Sequence, residues 1–233
     1  MINHGRETVL IIAAHPDDEV LGCGGAIARH ADAGDLVRVL IVAEGATSRQ
    51  PLRNRSEMQT ELSGLSQAAH HAASILGAHS VELLDFPDNR LDSIDRLTLI
   101  KNIEMQIYNY NPTTIYVHHS GDVNIDHRRV HEAVVTACRP TPNHPVKRLF
   151  SFEVPSSTEW QPPGSSLPFQ PNYFMDISEQ WLRKKKALEA YRCELASWPH
   201  SRSLQAIEAL TRWRGAQVGV EAAEAFHVMR IIN

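Results

Sequence analysis

The stretch Val9-Leu10-Ile11-Ile12-Ala13-Ala14-His15-Pro16-Asp17-Asp18-Glu19 joins six consecutive apolar residues to a proline turn crowded with acids. An unbroken apolar run of this length, bounded by turn residues, suits a strand buried on both faces. Val20 to Ala33 follows with helical spacing and stops at Gly34, a residue at ease in the left-handed position that ends helices. Leu36 to Ala43 is a second, β-branched run. Strand, turn, helix, strand is the opening of a parallel sheet with right-handed crossovers. In such sheets the ligand crevice lies outside the carboxyl ends of the strands, where His15 to Glu19 stand.

The rhythm continues along the chain. A long helical stretch covers about Arg53 to Leu76 and ends at Gly77, and Ser80 to Asp85 is a third strand. Leu97 to Tyr110 reads as a helix that Pro112 cannot continue. Thr114 to His118 is a fourth strand, Asp126 is expected to cap a helix with Val130, Val134 and Ala137 on one face, and Leu149 to Val154 is a fifth strand. Pro155 to Asn172 then breaks the pattern, with five prolines, four serines and one glycine in eighteen residues. Loops of that length are usually functional or disordered, and Trp160 and Phe169 favour an ordered flap or an interface. Beyond it, Trp181, Leu188 and Leu195, then Leu204, Ile207, Leu210 and Trp213, recur at helical spacing as core stripes. Arg183-Lys184-Lys185-Lys186 reads as a solvated face, and Ala225 to Ile232 as a last strand. The expectation is one α/β domain over residues 1–233, with helices on both faces of a mostly parallel sheet, a flap near 155–172 and a C-terminal helical layer.

Composition narrows the function. With 23 Lys+Arg against 27 Asp+Glu, the net charge is −4, which disfavours nucleic acid or an anionic membrane as partner. Cys23, Cys138 and Cys193 are odd in number and far apart, so neither a disulfide framework nor a cysteine metal clasp follows. Residues 1–18 lack the apolar length of a signal peptide or a spanning segment, and a reduced cytoplasmic compartment is expected. The unusual count is 13 histidines.

Those histidines gather at strand ends. His15 and Asp18 are three apart, so a turn entering a helix can aim both at one point, while Asp17 points elsewhere. A neutral imidazole and a carboxylate are two of the three protein ligands of a catalytic zinc, which leaves its fourth position to water. The fourth strand end supplies His118-His119-Ser120-Gly121-Asp122-Val123-Asn124-Ile125-Asp126-His127-Arg128-Arg129-Val130-His131, four histidines and two aspartates in fourteen residues. His127, in the first turn of the next helix, is the expected third ligand. His131, four residues on, is its rival, and is preferred as a helix-face or supporting histidine. Asp126 is placed to orient a ligand or a loop backbone. Gly22, Gly24 and Gly25 tempt a dinucleotide reading, but Ile27 stands where the fingerprint needs a third small residue. Asp17 and Asp18 would repel a pyrophosphate, so close helix packing is the better account of these glycines.

His-Pro-Asp-Asp-Glu at the first strand end, the glycine-rich Val20 to Gly25, Asp126-His127 after the fourth strand and Ala223-Glu224-Ala225-Phe226 near the end together resemble the PIG-L/LmbE-like zinc N-deacetylases. The resemblance covers most of the chain. It implies a Rossmann-like three-layer α/β sandwich holding one Zn2+ per chain, with another divalent ion such as Fe2+ as the alternative metal. It implies His15, Asp18 and His127 as ligands and Asp17 as general base. It further implies a small N-acetylated amino-sugar substrate of N-acetylglucosaminyl type, and a homo-oligomer is expected. Many members carry a histidine that polarises the substrate carbonyl where this chain has Asn124, whose amide can donate to an oxyanion but cannot supply a proton. His118, His119 and His200 are the alternative donors. The resemblance also implies a substrate-hydroxyl contact for Arg53 or Arg55 and for Asp88, against the alternatives of a solvated arginine and a turn aspartate; Glu153 precedes the flap, and His200 either lines the pocket or belongs to a helix cap. Two other readings stand beside this one: a Rossmann-type nucleotide-binding module without hydrolysis, and a zinc amidase acting on a non-sugar N-acyl group. A scaffold with purely structural zinc is disfavoured, because such sites fill all four positions with Cys and His.

Overall fold

A computed structural model describes residues 6–232. Residues 1–5, the start of the segment read above as neither leader nor membrane span, lie outside the described residues. The first strand, β1 (Thr8–Ala13), is central, and its side chains alternate between two separate cores. Val9, Ile11 and Ala13 enter one, and Leu10, Ile12 and Ala14 enter the other. A strand loaded on both faces therefore has to be apolar at every position, which explains the unbroken run.

Around it lie α1 (Asp18–Asp32), β2 (Leu36–Ala43), α2 (Gln59–Leu76), β3 (Ser80–Phe86), α3 (Arg96–Tyr110), β4 (Thr114–His118), α4 (Ile125–Ala137), β5 (Arg148–Phe152), β6 (Tyr173–Asp176), α5 (Trp181–Ala190), α6 (Leu204–Ala216) and β7 (Ala223–Ile231). The strand order is β3-β2-β1-β4-β5-β7-β6. The first five strands run parallel, in registers such as Val9 opposite Val37 and Ile11 opposite Tyr116. β7 is antiparallel to both β5 and β6. The protein is thus an α/β fold with a mostly parallel mixed sheet, of seven strands and six α-helices among the described residues. One core joins α1, α2 and α5 to the sheet, and the other joins α3 and α4. The chain winds from β1 to β2 on one side and returns to β4 on the other, so the crevice opens between the carboxyl ends of β1 and β4.

Several expectations need correction. The second helix begins at Gln59 rather than Arg53, because Arg53 and Arg55 are drawn onto Glu44 at the end of β2. Asn124, not Asp126, caps α4: its Oδ1 accepts from the amides of Asp126 (2.8 Å) and His127 (3.4 Å). The short strand β6 was hidden behind the proline-rich segment. α5 stops at Ala190, short of Leu195, and Trp213 is 61% exposed rather than a core residue.

The largest correction concerns the basic run. Lys184 is only 2% exposed; its Nζ donates to Glu224 Oε1 (2.7 Å) and to the carbonyl of Leu21 (2.8 Å). Glu224, from β7, accepts from the amides of Gly25 and Ala26, both at 2.7 Å. A buried ion pair from α5 and β7 therefore inserts into the middle of α1. The glycines of α1 make room for such contacts. A Cβ at Gly22 would lie 2.3 Å from Phe152, and one at Gly25 would lie 2.5 Å from Ile177.

Candidate metal centre

The turn after β1 is built tightly. The amide of His15 donates to Asp18 Oδ2 (2.9 Å), and the amide of Asp18 returns to the carbonyl of His15 (3.3 Å). Asp17 sits between them at φ 111°, a left-handed conformation that few non-glycine residues adopt. Two contacts stabilise it: its amide donates to Glu19 Oε2 (3.0 Å), and Tyr191 donates its hydroxyl to Glu19 Oε1 (2.6 Å). Burial pushes the Glu19 carboxyl up to about 7 against the pull of Tyr191.

The structure brings His15, Asp18 and His127 together, with one ligand atom from each within 4.8 Å of the others. Asp18 Oδ2 lies 3.2 Å from His15 Nδ1 and 3.2 Å from His127 Nε2. His127 Nδ1 faces Asp122 Oδ2 at 3.1 Å, so that a metal taking the Nε2 lone pair would leave the ring proton on Nδ1. Asp122 is itself fixed by the amide of Asn124 (2.8 Å), by Thr158 Oγ1 (2.7 Å) and by the hydroxyl of Ser157. His118 lies beneath, stacked on His127 with ring centroids 3.9 Å apart, and its Nε2 accepts from the amide of Ala14 at 2.8 Å. Burial and the neighbouring His127 push the His118 imidazole well down, toward the neutral form.

Three buried atoms here have no hydrogen-bond partner: His127 Nε2, Asp18 Oδ1 and His118 Nδ1. Orphaned buried acceptors are costly and demand an explanation. A divalent cation would satisfy the first two, on the ligands His127 and Asp18, and the charge balance calls for one. Burial opposes a charge on His127, yet Asp18 and Asp122 pull it up to about 9. His15 is likewise raised against its burial, by Asp126 and Asp18. The residues present therefore fit a zinc-like ion. A second grouping, His15 with Asp88 and Asp126, fits less well because its carboxylates are occupied. Asp126 accepts from the amides of Asn89 (2.7 Å) and Leu91 (2.9 Å) and faces His15 Nε2 at 3.0 Å, while Asp88 accepts from the amide of Ser48 (3.0 Å).

His131, the rival ligand, turns away and donates Nδ1–H to the carbonyl of His118 (2.7 Å). Asp17 points to Arg202, with Oδ2 2.9 Å from Nη1. Burial holds its carboxyl well above the usual range, and Arg202 opposes that rise. Asp88 is buried 3.4 Å from His15 Nε2. Arg53 grips Glu44 with two bonds, of 2.7 and 2.9 Å, and donates to the carbonyl of Asp85 (2.6 Å). His200 is exposed and packs edge-on against Trp160, centroids 5.6 Å apart. Glu153 is paired with Arg214 at 2.8 Å.

Sequence reasoning missed Asp122, which lies in the histidine-rich loop after β4, and Arg202, which stands two residues after the candidate His200. Asp122→Asn is expected to weaken zinc binding by about 10–100-fold, since it removes the carboxylate that sets the ring of His127. Competition with a chelating dye measures this; an unchanged affinity would assign the orientation of His127 to its helix alone.

Comparison with known proteins adds the following. A family model described as PIG-L, GlcNAc-PI de-N-acetylase, matches residues 10–138. The uncharacterized deacetylase YaiS of Escherichia coli (strain K12) is 30% identical over 189 residues, covering 78% of this chain and 88% of YaiS. The 4-oxalmesaconate hydratase of Pseudomonas putida is 26% identical over 215 residues, covering 85% of this chain and 78% of the hydratase. Among solved structures, N,N'-diacetylchitobiose deacetylase from Pyrococcus horikoshii superimposes with a TM-score of 0.76 at 19% identity, covering 97% of this chain and 85% of the other. That likeness speaks for the fold.

Proposed function

We infer the reaction from one premise: the chain belongs to the PIG-L de-N-acetylase family. Within it, we propose that the protein removes the acetyl group from the nitrogen of a small amino sugar or amino-sugar conjugate of N-acetylglucosaminyl type. The observation that carries the reading is the pair of orphaned ligand atoms, on His127 and Asp18, beside the buried carboxyl of Asp17. His15, Asp18 and His127 would hold the metal, taken as zinc with Fe2+ as the alternative. When bound, such an ion supplies an acidified water and polarises the amide carbonyl.

The chain's own residues then divide the work. Asp17 takes a proton from the attacking water and hands it to the departing nitrogen, which would otherwise leave as a poor anionic group. Glu19 and Tyr191 hold the turn that aims Asp17. Asp122 keeps His127 in one tautomer, and Asp126 does the equivalent for His15. Asp88, at the crevice beside His15, is proposed to accept a sugar hydroxyl. Arg53 is proposed to act on substrate chiefly by holding Glu44 in place, and His200 with Trp160 to form the outer rim. A nucleotide-binding module fits poorly, since Asp17, Asp18, Asp88 and Asp126 fill the crevice with negative charge.

The hydratase relative supplies a second reading, addition of water to a conjugated acid. One experiment separates the two. Zinc-loaded protein is incubated with N-acetylglucosamine, N,N'-diacetylchitobiose and 4-oxalmesaconate, and products are followed by proton NMR. Release of acetate that a chelator abolishes and added zinc restores is the expected result. Hydration without acetate release, or acetate release insensitive to chelation, would overturn the proposal. Among the described residues no helix is long and apolar enough to cross a membrane.

A further inference from the structure

We propose that Arg202 is the cation that holds the oxyanion in this site, in place of the amide of Asn124. The proposal rests on the N-deacetylation reading above.

The geometry leaves few other donors. The Nδ2 of Asn124 donates to Asn89 Oδ1 (3.0 Å), and its Oδ1 is committed to the start of α4. His118 is fully buried beneath His127, its Nε2 accepting from Ala14 and its Nδ1 without a partner but closed to solvent. His119 Nε2 contacts the carbonyl of Leu167 (2.9 Å), and His131 is bonded to the carbonyl of His118. His200 lies on the rim, where its Nδ1 accepts from the amide of Arg202 (3.0 Å).

Arg202 differs from all of these. Its Nη1 lies 2.9 Å from Asp17 Oδ2, beside the group assigned as base. Its Nε donates to Ser156 Oγ at 2.7 Å, which fixes the plane of the guanidinium. Nη2 carries no hydrogen bond among the described residues, and the side chain is 25% exposed, so these two N–H groups are open to a ligand. A guanidinium stays charged throughout, so it can hold an oxyanion but cannot act as the acid. The roles are then complementary. Water oxygen bonds to the acetyl carbon, its proton passes to Asp17, and the carbonyl π pair moves onto oxygen, where Nη2–H of Arg202 donates to it. The pair returns to re-form the carbonyl, the C–N bond breaks, and nitrogen takes the bonding electrons and the proton from Asp17. The products are the free amine and acetic acid, which ionises to acetate.

Loss of one oxyanion donor typically lowers kcat about 100–1000-fold, and Arg202→Met should do so with little change in KM. Arg202→Lys should recover part of the loss, because it keeps a point charge without the planar fork. An arginine that merely positions Asp17 would also lower kcat, so the deciding measurement omits turnover. Acetate affinity of the zinc-loaded protein is measured by calorimetry in an Asp17→Asn background, with and without Arg202→Met. A rise in Kd of at least about tenfold is expected, with Arg202→Lys intermediate and zinc content unchanged. An unchanged Kd, or no acetate binding in the parent, overturns the assignment whatever the turnover. A shifted Kd in a protein that releases no acetate from any substrate leaves Arg202 as an anion-holding residue and removes the deacetylation reading instead.

Discussion

Asp17→Asn is expected to keep its zinc and to lose turnover by about a hundredfold to ten-thousandfold, the usual contribution of a positioned acid–base group. Asparagine is the right probe for a structural reason. Residue 17 holds a φ of 111°, and among L-residues aspartate and asparagine tolerate the left-handed region best. The substitution therefore removes the proton acceptor while sparing the turn. The amide of residue 17 can still reach Glu19, and an amide oxygen can still accept from Arg202. Asp17→Ala would confound the result by adding backbone strain beside two metal ligands. The measurements are kcat from acetate release and zinc content by elemental analysis. A variant with full zinc and full turnover would strip Asp17 of the proton-carrying role; one that loses its zinc would mean that the residue shapes the ligand turn instead.

Glu224→Ala should cost about 3–5 kcal/mol of stability, because it leaves a buried ammonium without its partner. For a chain of this size that lowers the melting temperature on the order of 10 °C. The amides of Gly25 and Ala26 lose their acceptor in the same step, while Lys184 still reaches the carbonyl of Leu21. Lys184→Met combined with Glu224→Leu should be much less damaging than Glu224→Ala alone. No unpaired charge remains, and the carbonyl of Leu21 becomes free for the helical bond to Gly25. Thermal and urea unfolding of the three proteins give the comparison. A single-variant loss below about 1 kcal/mol would mean that water reaches the pair and that it behaves as a surface contact. Since the first turn of α1 carries Asp18, the single variant should weaken zinc binding as well.

What was legible beforehand depended on short range. The unbroken run at Val9–Ala14 had to be a doubly buried strand, and chain order then required a parallel sheet whose strand ends carry His15–Asp18 and His118–His127. Those placements follow from periodicity and topology, which neighbouring residues encode. Even the glycines of α1 announced close packing, though not that Phe152 and Ile177 would be what they pack against. Local pattern misplaced the cap of α4 by two residues, since Asp126 and Asn124 are equally good cap types and only the fold directs Asp126 to the backbone of Asn89 and Leu91.

The remaining decisions belong to the tertiary structure. Lys184 looked like one more cation on a wet helix; it is buried because Glu224, 40 residues later, meets it inside α1. Arg202 and Asp17 are 185 positions apart, and no spacing rule links them. Asp122 outranks Asp126 as the partner of His127 only because the ring's rotation on α4 presents Nδ1 to it. Sequence alone determined the five parallel strands, the crevice at their ends and the residue types gathered there, because hydrophobic period and strand order are local properties. Which charge is buried, which proton sits on which nitrogen and which arginine faces the base were decided by packing, because a charge's energy depends on the partners and dielectric that only the folded chain assembles around it.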